Sequence, residues 1–177
     1  MDTIFESERL LVRKWVPEAD AAEALEIFGD PEVVRFLHRE PTADLEAMQE
    51  ALEKRLVQYA EAKEGSGHWA VVEKETGEII GASLLKPLPD ADKNFSEDYE
   101  IGWHLKRTKW GLGYATEFSK AALQYGFHQM DLDCIYAIMD AGNQRSAKVA
   151  ERLGMTSLGL TSEYYGVDDL LLYKIDR

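Results

Sequence analysis

Apolar residues along this chain repeat every second position in some stretches and every third or fourth in others, and the switches mark its elements. Arg9-Leu10-Leu11-Val12-Arg13-Lys14-Trp15, rich in large apolar residues, predicts a first strand. Pro17 then suits the first position of a helix, with Glu18 and Asp20 favourable in its opening turn and Gly29-Asp30-Pro31 ending it. From about 44 to 62, Leu45, Met48, Leu52, Leu56 and Tyr59 recur at helical steps and make one stripe, and Thr42 is placed to cap that helix. Segments 68–73 and 78–85 flank Lys74-Glu75-Thr76-Gly77 and predict a hairpin. The prolines and acids of 87–97 predict a loop.

Tyr99-Glu100-Ile101-Gly102-Trp103-His104-Leu105 alternates cleanly. Its odd positions face one side, while Glu100, Gly102 and His104 face the other. A glycine inside such a strand predicts a bulge or a close backbone approach. A helix follows from about 114 to 129, burying Phe118, Ala121, Ala122, Tyr125 and Phe127, then a strand over 134–139, a helix over 143–153 and strands over 156–165 and 170–175. The order βααβββαβαββ is that of a mixed α/β domain, and 177 residues suit one domain spanning 1–177.

Between the alternating strand and its helix lies Lys109-Trp110-Gly111-Leu112-Gly113-Tyr114-Ala115-Thr116-Glu117. Two glycines at the start of a helix leave backbone N–H groups converging at the positive end of the helix dipole, which predicts a phosphate site. A Walker-type loop fails on spacing and on the missing Gly-Lys-Ser or Gly-Lys-Thr. A dinucleotide fingerprint has two of its three glycines, with Thr116 in place of the third and Asp140 as a candidate ribose acid. Too few strands follow it to complete a doubly wound sheet.

The third reading is coenzyme A. Phe28-Gly29-Asp30-Pro31-Glu32-Val33-Val34-Arg35-Phe36-Leu37, the strand 99–105, Trp110 to Glu117, and Asn143-Gln144-Arg145-Ser146-Ala147-Lys148-Val149-Ala150-Glu151-Arg152-Leu153-Gly154-Met155 occur in the order of the GNAT superfamily of acetyltransferases, and the chain resembles its RimJ/RimL-like branch over nearly its whole length. The resemblance implies the GNAT acyl-CoA N-acyltransferase fold, a splayed central sheet with helices on both faces. Acetyl-CoA would be wedged between strands 99–105 and 134–139. Backbone groups of Trp103, His104 and Leu105 would meet the pantetheine, and Lys109, Trp110, Gly111, Leu112, Gly113, Tyr114, Ala115 and Thr116 would surround the pyrophosphate, with Asn143 touching the pantetheine from the last helix. One departure is Thr108, where the superfamily has Gln or Arg; the backbone cradle does not depend on it.

Composition bears on the ligands. The net charge of −13 opposes nucleic-acid binding and suits a cationic partner, or simply a soluble surface. Against it, Lys106, Arg107 and Lys109 before the loop, with Arg145, Lys148 and Arg152 on the last helix, make a local positive island for a polyanion, unless neighbouring acids pair them. A lone Cys134 permits no internal disulfide and no cysteine metal site, and no metal is expected. No segment is apolar enough for a signal peptide or a membrane span, so a cytoplasmic protein is expected.

Acetyl transfer to an amine needs a neutral nucleophile, a stabilised oxyanion and a proton for the thiolate. A lysine-type amine, with a pKa near about 10.4, needs a base more than an α-amine near about 8. Glu100, on the strand face turned toward the expected cleft, is the first candidate base. Glu163 is the second, because Glu163-Tyr164-Tyr165-Gly166-Val167-Asp168-Asp169-Leu170-Leu171-Leu172-Tyr173 resembles the closing hairpin of RimL-type enzymes. The tyrosine that many members use as acid is replaced by Ala150, and the branch offers Ser146 instead, with Asn143 capping the same helix. His104 shares the face of Glu100. The expected activity is direct attack of a primary amine on acetyl-CoA in a ternary complex. The acceptor the branch implies is a protein N-terminus, such as that of a ribosomal protein; a small molecule such as a polyamine or aminoglycoside is the alternative acceptor. An acyl-CoA-binding sensor is the alternative, and either a monomer or a homodimer is compatible.

Overall fold

The computed structural model describes residues 3–60, 64–92 and 94–177. Eight strands form one sheet: β1 (Thr3–Glu6), β2 (Leu10–Arg13), β3 (Gly67–Glu73), β4 (Ile79–Pro89), β5 (Phe95–Leu105), β6 (Cys134–Asp140), β7 (Thr156–Thr161) and β8 (Leu170–Asp176). The helices are α1 (Pro17–Phe28), the short α2 (Pro31–Val34), α3 (Leu45–Ala60), α4 (Tyr114–His128) and α5 (Gln144–Arg152). The strand order is β1-β2-β3-β4-β5-β6-β8-β7, antiparallel except for the parallel pair β5–β6.

The alternation along the strands divides the core in two. On one face Phe118 and Ala122 of α4 and Ala147 and Ala150 of α5 pack against Tyr99, Ile101 and Leu105. On the other, Ala24, Ile27 and Phe28 of α1 and Met48 and Leu52 of α3 cover Ala70, Val72 and Ala82. Each fully buried Phe or Leu contributes about 1.5–3 kcal/mol of transfer free energy to this arrangement. No helix among the described residues is long and apolar enough to cross a membrane.

Several expected boundaries move, for identifiable reasons. The first strand stops at Arg13, and Trp15 instead turns into the α1/α3 layer, where its indole N–H donates to His68 Nδ1 at 3.1 Å. Asp20 does more than complement the α1 dipole: it is buried, accepts from the backbone of Val16 at 2.7 Å and takes both terminal nitrogens of Arg13 at 2.6 and 3.0 Å. Helix α3 is capped by Asp44, which accepts from Ala47 N–H at 2.9 Å, and not by Thr42, whose own N–H closes on Phe28. Met48 and Leu52 are fully buried while Leu45 is 52% exposed, so the stripe begins one turn later than expected. Positions 61 and 62 of the expected helix lie outside the described residues. The expected loop over 87–97 is mostly strand, because Pro87 and Pro89 are absorbed at an irregularity in the β4–β5 ladder.

The feature that positions the site is the parallel pair. Among the described residues β5 and β6 pair at one position, Glu100 opposite Tyr136, and the strands part beyond it. The sheet is splayed there, as the resemblance implies.

Candidate active site

Beyond the C-terminal end of β5 the chain makes a 3-10 turn (Arg107–Lys109) and enters the glycine loop. Gly111 and Gly113 have φ of 79° and 83°, a left-handed backbone that other residues adopt at a cost. A Cβ on Gly111 would meet nothing within 4 Å, and one on Gly113 only an Arg9 nitrogen at 3.7 Å, so space lies open over the loop. Gly113 is the N-cap of α4 and no side chain among the described residues caps that helix, which leaves its first amides available to an outside acceptor. This fits a phosphate-bearing ligand. Leu112 is exposed, and Ala115 and Thr116 are half-buried on the first turn.

The loop is anchored from three sides. The Trp110 indole N–H donates to the Leu105 carbonyl at 3.0 Å, so that oxygen is already engaged on the strand edge expected to meet pantetheine. Arg9 donates to the Leu112 carbonyl at 3.3 Å, pairs with Glu117 and lies 4.3 Å over the Tyr114 ring. Glu73, at the end of β3, accepts from the Tyr114 hydroxyl, from Lys109 Nζ at 2.9 Å and from Thr76 at 2.9 Å. Those hydrogen bonds, that of Tyr114 foremost and then that of Lys109, lower its pKa to about 2.

Beyond β6, Asn143 caps α5 by accepting from Ser146 N–H at 3.2 Å, and Ser146 is half-buried on the first turn. The Arg145 guanidinium lies 4.5 Å over the Trp110 ring, so the α5 start and the glycine loop meet at the open end of the splay.

At the closed end sits Glu100, 4% exposed. Its Oε1 takes the Tyr165 hydroxyl and pairs with Lys86, which also donates to the Tyr165 oxygen at 2.7 Å. Burial first, then the carboxylate, raises the Tyr165 pKa far above its ordinary value and keeps the phenol neutral. On this face of the sheet a cavity of about 320 Å³ opens between β4, β5, α1 and α3. His104 lines it with its Nδ1 buried and unpartnered among the described residues, and burial, followed by Arg39 and Arg55, lowers its pKa to about 3. It is therefore neutral. Trp103 faces the opposite, α4 side.

Residues 9–156 match the sequence profile of the acetyltransferase (GNAT) domain. The chain belongs to the GNAT acetyltransferase family. It is 27% identical over 164 residues to the uncharacterized N-acetyltransferase p20 of Bacillus licheniformis, covering 93% of this chain and 88% of that one. The structure of a GNAT-family acetyltransferase from Bacillus anthracis superposes with a TM-score of 0.78 at 26% identity, over 97% of both chains. A spermidine N-acetyltransferase from Vibrio cholerae, in complex with CoA and spermine, shares the fold with a TM-score of 0.74 at 18% identity, over 95% of both chains. The protein is thus an acetyltransferase of GNAT fold, in a family that uses acetyl-CoA.

Within this GNAT frame the expected positive island is corrected. Lys106 is buried against Glu78 at 2.9 Å and Glu26 at 3.0 Å, Arg107 pairs with Asp30 at 3.2 Å, and Lys109 is held by Glu73 and Glu78. These cations are paired with acids distant in sequence, and Lys109 braces the loop through Glu73 and Glu78. Arg145 and Lys148 remain exposed beside it. Gly102 carries no bulge; it stays in register with Leu84, and a Cβ there would meet that side chain at 2.8 Å, so the glycine makes room for Leu84.

Glu163 is exposed on the β7–β8 connection, and its neighbours do the docking. Tyr164 donates to Asp98 at 2.8 Å, and Tyr165, with φ of 62°, turns its hydroxyl onto Glu100. Sequence reasoning missed Tyr165, Lys86, Arg39, Arg55, Glu73 and Arg9. For Tyr165 a signal existed, since the following Gly166 and the paired tyrosines mark a turn that carries a side chain inward; the others become neighbours only through the fold.

Proposed function

We propose that this acetyltransferase transfers the acetyl group of acetyl-CoA to a primary amine by direct attack in a ternary complex, without an acyl-enzyme. The observation that carries the reading is the place of Glu100: where β5 and β6 part, with its side chain on the cavity face. From Glu100 to Leu105 the strand covers about 17 Å, a length suited to an extended pantetheine arm reaching from the glycine loop to the parting point. Open amides of 111–115 would hold the pyrophosphate, with Asn143 on the other side of the wedge.

The amine enters from the cavity. Its nitrogen attacks the thioester carbon, and Glu100 takes the ammonium proton directly or through one water, with Lys86 and Tyr165 fixing the carboxylate. The C–S bond breaks, the thiolate takes a proton through the Ser146 hydroxyl, which regains one from solvent, and Glu100 returns its proton to solvent. His104, neutral at any physiological pH, lines and shapes the pocket without relaying protons.

A cavity of about 320 Å³ supports a small amine. The RimJ/RimL-like motifs instead suggest a protein α-amine, so a dipeptide belongs in the assay. Thiol release from acetyl-CoA is measured with an amine panel for the wild type and Glu100→Gln. General-base loss predicts a fall in kcat of about 10²-fold or more with coenzyme A affinity unchanged. An unchanged kcat removes Glu100 from the chemistry. Tight acetyl-CoA binding with no acceptor-dependent release from any amine would favour a sensor. Ser146→Ala, read in the same assay, assigns the thiolate proton to solvent if kcat holds.

A further inference from the structure

The cavity beside Glu100 has a charge opposite to that of the protein. Among the described residues three cationic side chains line it, Arg39, Arg55 and Lys86, and no carboxylate does. Lys86 is matched by Glu100 behind it. Arg39 and Arg55 have no carboxylate within ion-pair distance among the described residues. Both guanidiniums instead lie against the Phe28 ring, at 5.2 and 4.7 Å. The Arg55 Nη1 is buried and has no hydrogen-bond partner among the described residues.

Thirty-three acids against 20 bases make an unpaired guanidinium easy to avoid in this chain. A buried guanidinium nitrogen without a partner is costly, and here the cost is visible: burial, then the charge of Arg39, lowers the Arg55 pKa to about 10. His68 and His104 share this pocket, and burial depresses the pKa of each, so neither adds an acid or a compensating charge. Tyr59 lines the same cavity; burial first, then the Glu100 carboxylate, raises its pKa to about 12, with Arg55 acting in the opposite direction.

We propose that the acceptor is a small zwitterion, a primary amine carrying a carboxylate, with the carboxylate held by Arg55 and Arg39 and the amine directed to Glu100. The inference rests on the amine-acetyltransferase reading above. A guanidinium fork matches the two oxygens of a carboxylate, and an acceptor bound this way supplies the counter-charge that the fold withholds. A polycation meets like charge in the same place.

The test compares 4-aminobutyrate with 4-aminobutan-1-ol, and β-alanine and L-glutamate with spermidine and O-phosphoethanolamine, by acetyl-CoA-dependent thiol release. The proposal expects kcat/KM at least 10-fold higher for 4-aminobutyrate than for its alcohol, with the preference collapsing toward one in Arg55→Gln through KM. Arg55→Glu shifts the order toward spermidine; should that variant not fold, Arg39→Glu at the exposed rim carries the same test. Equal rates for acid and alcohol, or spermidine as the best acceptor of the wild type, overturn the anion site while leaving the transferase reading intact. Preference for O-phosphoethanolamine over every carboxylate overturns the carboxylate assignment. Should no amine turn over, the transferase reading fails on its own, and calorimetry with glutarate decides the site: binding lost in Arg55→Gln supports it, and no binding to the wild type overturns it.

Discussion

Removing the charge of Glu73 tests the idea that the glycine loop is held from beneath by a carboxylate 36 residues before Lys109. Glu73 is 8% exposed and receives the Tyr114 hydroxyl, Lys109 and Thr76, so its anionic form is stabilised only in the folded protein. Its pKa falls from 4.5 to about 2. At about 1.36 kcal/mol per pH unit, that interval corresponds to about 3 kcal/mol of stability at pH 7. Because the folded-state value is depressed, the contribution is complete above 4.5 and is lost as pH falls toward about 2. At pH 3 less than half of it remains. Glu73→Gln resembles the protonated residue, so the gap between variant and wild type should be largest at pH 7 and shrink on acidification. Thermal unfolding should show a drop of roughly 6–12 °C in Tm at pH 7, with urea titrations at pH 7, 4 and 3 tracing the convergence. A gap constant across that range, or a Tm within 2 °C (about 1 kcal/mol or less), would refute the argument that ionised Glu73 anchors the loop.

Two further outcomes follow from the same geometry. Gly113→Ala places a Cβ on a backbone with φ of 83° at the uncapped start of α4, and should cost about 1 kcal/mol of stability while weakening coenzyme A binding at least several-fold by calorimetry; undiminished affinity would mean that the loop does not receive the pyrophosphate. Asp20→Asn leaves Arg13, whose side chain is 9% exposed, without its anion, and should lower the urea-derived unfolding free energy by about 3–5 kcal/mol, whereas a loss below about 1 kcal/mol would class this pair with exposed ones.

The parts of the site that the sequence made legible are those built from neighbours along the chain. Gly111 and Gly113 announce the left-handed turns they adopt, Asn143 caps the helix it precedes, and alternation along 99–105 assigns Glu100 to the cavity face without reference to any other strand. What stayed hidden depends on contacts between distant segments. Lys106 and Lys109 look like a free basic patch until β3 and β4 bring Glu73 and Glu78 against them. Glu163 and Tyr165 are two positions apart, and only the positive φ of Tyr165 and the docking of Tyr164 on Asp98 decide which reaches Glu100. Arg39 and Arg55, from the segment after α2 and from α3, meet only because both close over Phe28.

The same pairing resolves an apparent conflict over charge. A net charge of −13 suggests a cationic partner, yet the cavity beside Glu100 is lined by cations. Net charge describes a field that ions screen over about 8 Å at physiological salt, and most of the excess acid lies on the surface. Some of it is spent inside the fold: Glu26, Asp30, Glu73 and Glu78 cancel the basic residues ahead of the glycine loop. Among the described residues no carboxylate is placed within ion-pair distance of Arg39 or Arg55. A ligand within hydrogen-bond distance of a poorly screened guanidinium responds to that group, while the surface acids act mainly on its approach. On the proposal above, affinity in this pocket follows the two lining cations that no described carboxylate pairs, Arg39 and Arg55.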